Sequence, residues 1–205
     1  MISQSLATIR SLKWVDYLYF ALLEPRRLIA RISDESSRPY WGALLVVLLS
    51  SFTETLASSL VVANTQFFYQ KITYGVLLLF LVNAAKIAVI VLLIDALCQF
   101  MNFTGSMKTI FPLVAYAHFP QSFILPLVYI FKVLSFAPVF FLAAFSLALA
   151  VWTSIIVISG ISEMHSMPFA KSALVFLFPY AAVGIIAFLI ALLGIINIFG
   201  YIAAL

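Results

Sequence analysis

Charge is what this chain most lacks: 9% of its 205 residues are Asp, Glu, Lys or Arg, against roughly 25% in a soluble globular domain. A soluble fold is therefore excluded. Cysteine is nearly absent as well, and Cys98 alone permits neither an intramolecular disulfide nor a multi-cysteine metal site. It reads as a small apolar residue at a helix end. Missing too are Gly-x-Ser-x-Gly, His-Glu-x-x-His and any phosphate-binding loop, and no nucleophile stands beside a base. Glu163 and His165, two apart in ISEMHSMPFAK, match no metal-ligand spacing and read as a solvated loop. The expectation is a non-enzymatic protein with no cofactor, no metal and no nucleic-acid partner. Strict alternation of apolar and polar residues, the mark of an outer-membrane barrel, is also lacking in runs such as VLLLFLVNAAKIAVIVLLIDAL.

What is there is apolar: 65% of the residues are hydrophobic. A bilayer core needs about 20 consecutive apolar residues per helix, and five such blocks follow Pro39, at 40–62, 75–98, 109–131, 138–160 and 172–198. The fold class is all-α, a polytopic membrane protein with five transmembrane helices in residues 39–205 and an amphipathic interfacial segment in residues 1–38. Six of the eleven Lys and Arg residues, Arg10, Lys13, Arg26, Arg27, Arg31 and Arg38, precede the first span. The positive-inside rule places that segment in the cytoplasm, and five spans then put the C-terminus outside. Asp16 interrupts the apolar run of the N-terminal stretch and no small-x-small site follows, so a cleaved leader is not expected.

The prefix is written for a membrane surface. Val15, Leu18, Tyr19, Leu22 and Leu23, then Leu28, Ile29 and Ile32, recur at helical spacing, with Pro25 suited to the first turn of a second helix. Arg10, Lys13, Arg26, Arg27 and Arg31 occupy other directions. Apolar residues toward acyl chains and basic ones toward anionic headgroups describe an interfacial helix, so membrane lipid is the expected partner.

Polar residues inside spans carry a further expectation, because a charge near the bilayer centre costs at least ~2.5–3.5 kcal/mol. By helix rise Glu54 lies about 20 Å, Lys86 about 17 Å and His118 about 14 Å from the cytoplasmic side. Matching depths predict a buried polar cluster of Glu54, Lys86 and His118, with Asn83 on the face of Lys86. It is either a structural ion pair with His118 bonded to a backbone carbonyl, or a pathway for protons or a solute. In the third span Pro112 falls in the first turn, while Pro120 and Pro126 free the carbonyls of Tyr116 and Ser122. A kinked, buried third span touching Lys86 is expected. Gly184, Ala187, Ala191 and Gly194 line one face of the last span, and such small residues let helices approach closely, within the chain or between copies.

Gly105-Ser106-Met107-Lys108 followed by Ala115-Tyr116-Ala117-His118-Phe119-Pro120 resembles the glycine, small, x, lysine and tyrosine, small, x, x, proline pattern of Yip1-domain membrane proteins. Pro39-Tyr40-Trp41-Gly42 is similar to the Gly-Pro-Phe-Trp opening of eukaryotic members. LEPRRLIARI resembles the amphipathic prefix of bacterial ones, and Trp152 with GISEMHSM resembles the fourth helix and its following loop. The resemblance covers roughly residues 20–195. It implies a five-span, non-enzymatic protein of membrane organisation or trafficking type, here a bacterial-type member of the inner membrane, since the long N-terminal region and the Asp-Leu-x-Gly motif of eukaryotic relatives are missing. Function is thus read as an adaptor or scaffold working through lipid contact and association with itself or a larger membrane complex; the alternative is a small transporter or channel using Glu54, Lys86 and His118.

Overall fold

The computed structural model describes residues 13–34, 40–61, 68–103, 107–135 and 137–203, and among these there are helices and short turns with no strand. Two short helices, α1 (Lys13–Leu23) and α2 (Pro25–Asp34), precede α3 (Tyr40–Val61), α4 (Phe68–Phe100), α5 (Met107–Ala117), a 3-10 turn (Phe119–Phe123), α6 (Ile124–Val133), α7 (Pro138–Met164) and α8 (Phe169–Ala203). Five segments are long and apolar enough to cross a bilayer: Tyr40–Val61, Tyr74–Phe100, Met107–Val133, Pro138–Met164 and Phe169–Ile195. They coincide with the five expected blocks. The chain is an all-α, multi-pass membrane protein. Its proximal end carries Tyr40, Phe100, Met107 and Met164; its distal end carries Val61 and Val133.

Helix α3 lies against α4, α5, the 3-10 turn and α6. Its buried face is rich in Ser50, Ser51, Thr53, Thr55 and Ser59, a pattern that would be costly in lipid if the hydroxyls lacked partners. They bond back along the helix: Ser51 Oγ donates to Val47 O at 2.8 Å, Thr55 Oγ1 to Ser51 O at 2.8 Å and Ser59 Oγ to Thr55 O at 2.7 Å. Such small, internally satisfied side chains permit close helix approach. At the distal end Lys132 Nζ donates to the carbonyl of Leu60 in the last turn of α3, where cations are favoured by the helix dipole.

The third span is broken as the prolines require, with a different register. Helix α5 stops at Ala117, His118 turns, and 3-10 bonds take over: His118 N donates to Ala115 O at 3.1 Å and Gln121 N to His118 O at 3.0 Å. Pro126 does not interrupt a helix, because α6 begins at Ile124 and places it in the first turn, where no intrahelical donor is needed. Pro112 is the reverse case. With α5 starting at Met107 it lies in the second turn, and it leaves the carbonyl of Lys108, four residues earlier, without its helical donor.

The prefix corrects an expectation. Helices α1 and α2 form, but Tyr17, Ala21, Leu28, Ile29 and Ile32 are buried in the main core with Val47, Leu113, Tyr116 and Ile161. Helix α2 packs on α5 and α7, and α1 on α5 and the 3-10 turn. Of the apolar residues expected to meet acyl chains, Leu28, Ile29 and Ile32 meet protein, whereas Tyr19 and Leu23 are exposed. Arg26 and Arg27 remain exposed, Arg27 paired with Glu24 at 2.8 Å and Arg26 with Glu163 at 4.0 Å. Arg31 is half-buried. Arg10 lies outside the described residues, and of Lys13 only the backbone is described.

Candidate functional site

Two places bring the singled-out residues together. At the proximal end the hydroxyl of Tyr40 donates to Lys108 O at 3.1 Å, the carbonyl that Pro112 orphans. Tyr116 stacks on Tyr17 with ring centroids 5.2 Å apart and planes at 15°, worth about 0.5–1.5 kcal/mol beyond the area it buries. The Tyr116 hydroxyl occupies the place where a Cβ on Gly42 would stand. Tyr40 and Gly42 from one motif therefore lock onto Lys108 and Tyr116 from another, tying the first span to the third. Pro39, Gly105 and Ser106 lie outside the described residues.

At mid-span lies a polar cleft. Glu54 follows the start of α3 by fourteen residues and Lys86 precedes the end of α4 by fourteen, so each is about 21 Å from the proximal end. The two line a cavity of about 180 Å³ together with Gln121, Ser146 and Ala150. A second cavity of about 340 Å³ shares Lys86 and Gln121 and adds His118, Thr153, Ser154 and Tyr180. Lys86 shares the lining of these cavities with Gln121 and His118 of the third span, but its side chain is exposed, and the expected contact with that span is not among its bonds.

The sealed cluster itself is not what forms. Glu54 and Lys86 are both exposed, and neither has an ion pair or hydrogen bond among the described residues. Helix phase does not turn Glu54 away from the bundle, since it stands four residues after buried Ser50 and three before buried Ala57; it is exposed because the space beside it is an open cavity. Asn83 is buried, but its Nδ2 donates to Ser51 Oγ at 3.1 Å, joining α4 to α3 and leaving Lys86 aside. His118 is buried, with Nδ1 at 2.8 Å from Val114 O; since a carbonyl only accepts, that bond places a proton on Nδ1. Thr153 is 6% exposed and its Oγ1 has no hydrogen-bond partner among the described residues. Thr153 and Tyr180 escaped the sequence reading; isolated polar residues in apolar runs were the available signal.

Among the described residues, nothing packs on the small-residue face of α8 at Gly184, Ala191 or Gly194. An added Cβ on Gly184 or Gly194 would meet no atom within 4 Å, and Ala191 is exposed; the side chain of Ala187 is outside the described set. Among the described residues no group of three His, Cys, Asp or Glu side chains could hold a metal ion.

No curated protein and no solved structure matches the chain. The model of the Yip1 domain matches residues 20–199, which takes in all five spans, the proline-broken third helix and the Tyr40–Lys108 junction. The chain belongs to the Yip1 domain family.

Proposed function

We propose that this Yip1-domain chain is a non-enzymatic membrane-organising adaptor of bacterial type, set in the inner membrane with its N-terminus in the cytoplasm and its C-terminus outside. Charge supports the orientation: six of eleven basic residues precede the first span, and Arg26 and Arg27 are exposed at the proximal end, where anionic headgroups would meet them. One observation carries the adaptor role. Helix α8 buries Ser172, Val175, Phe176 and Pro179 near its start, whereas from Val183 to Ile195 every side chain whose exposure is described is exposed. That half-helix offers backbone-close packing at Gly184 and Gly194 to a second copy or to a larger complex.

The test is assembly in lipid nanodiscs, read by cross-linking and mass measurement. Wild type should appear as a defined oligomer or with a stoichiometric membrane partner, and Gly184→Leu with Gly194→Leu should shift it to the monomer. A wild type that is monomeric and partner-free at every protein-to-lipid ratio would sink the reading. The alternative of a small transporter draws on the mid-span cleft alone.

A further inference from the structure

The mid-span cleft has a polarity. Glu54, a carboxylate, lines only the smaller cavity and Thr153 only the larger, while Lys86 and Gln121 line both; Lys86, the Gln121 amide and the Thr153 hydroxyl can all donate. Glu54 and Lys86 form no ion pair with one another, and the Thr153 hydroxyl is buried with no partner among the described residues. Exposed residues at this depth, Glu54, Lys86, Ser146 and Ala150, open the cleft sideways into the plane of the bilayer. Each adjoining cavity, about 180 Å³ and about 340 Å³, far exceeds the ~30 Å³ of a single water.

We propose that this cleft receives the zwitterionic headgroup of a membrane phospholipid of the phosphoethanolamine type. The phosphate oxygens accept from Lys86, Gln121 and Thr153, and the ammonium donates to Glu54. The acyl chains stay in the bilayer beyond the lateral opening. Because the site lies deep within the spans, a headgroup held there is between the two leaflets, and exchange at such a site moves lipid across the membrane. Charged groups inside membrane spans mark pathways of this sort when they face a cavity. This reading stands apart from the α8 assembly surface and needs no second copy.

The experiment uses the full chain in vesicles carrying a trace of acyl-chain-labelled fluorescent phosphatidylethanolamine, with dithionite added outside to bleach outer-leaflet label. Wild type should convert bleaching of the outer leaflet alone into bleaching of nearly all label. Lys86→Leu and Glu54→Leu should slow the second phase several-fold, and labelled phosphatidylglycerol, which lacks the ammonium, should move more slowly than phosphatidylethanolamine. Glu54→Lys combined with Lys86→Glu keeps both signs in the cleft and should restore part of the rate, which separates lost chemistry from lost folding. Bleaching that never exceeds that of protein-free vesicles overturns the proposal. So does an undiminished rate when both charges are replaced by Leu, and so does uptake of free phosphoethanolamine with no movement of lipid.

Discussion

His165 sits just past the end of α7, buried against Phe103 with ring centroids 5.9 Å apart. Its Nε2 has no hydrogen-bond partner among the described residues. Burial pushes its pKa below the ordinary histidine value, and the opposing charge of Asp95 only partly offsets this. The folded state therefore holds the proton less tightly than the unfolded state, so stability is complete above about pH 6.5 and falls as pH drops below it. The melting temperature in detergent should decline between pH 7 and pH 5, and decline less in His165→Leu. Parallel curves would remove His165 as the cause. Sequence reading left Glu163 and His165 as a solvated loop; Glu163 is exposed, but the burial of His165 depends on Phe103, sixty-two positions away, and local pattern carries no trace of that.

At the scale of the element, the third span shows how proline placement alone is ambiguous by one turn. That this span is broken was legible in Pro120, whose missing donor cannot be ignored in lipid. Which proline costs a bond depends on where each helix begins, and the start at Met107 moves that burden from Pro126 to Pro112. Tyr40 answers it from another helix. Tyr40→Phe keeps the ring beside Phe111 and should cost about 0.5–1.5 kcal/mol in denaturation of the folded protein. In a Pro112→Ala background the helix recovers its own donor to Lys108, and the same change should cost much less. Equal costs in both backgrounds would show that the Tyr40 bond does not compensate for the proline.

The whole molecule turns on how the prefix is seated. Gly160 of α7 lies where a Cβ would stand 2.6 Å from Leu113 Cδ1 and Cδ2 and 3.2 Å from Ile29 Cδ1, so the third span, the fourth and the prefix converge on one hydrogen atom. Gly160→Val should destabilise by about 1–3 kcal/mol through overpacking, and should release α2 first, because of the three elements that meet there it has the fewest other neighbours. Limited proteolysis by trypsin at Arg26, Arg27 and Arg31 is the measurement: faster cleavage with an intact five-span remnant is expected. Unchanged cleavage would mean that the prefix is anchored elsewhere. Periodicity had indicated an apolar partner for Leu28, Ile29 and Ile32, and the partner is indeed apolar. It could not distinguish acyl chains from a helix surface, because both exclude water equally.

The sequence by itself determined the five spans, the amphipathic prefix and the matched depths of Glu54, Lys86 and His118, because length, apolar content and helical rise are properties of each segment alone. Only the tertiary structure decided that the prefix joins the core, that Asn83 bonds Ser51, and that Glu54 and Lys86 line an open cleft without pairing. Those outcomes depend on the rotation of each helix about its own axis. That rotation is set by which neighbours the small hydroxyl residues of α3 allow closest, and it is a relation between segments that no single segment encodes.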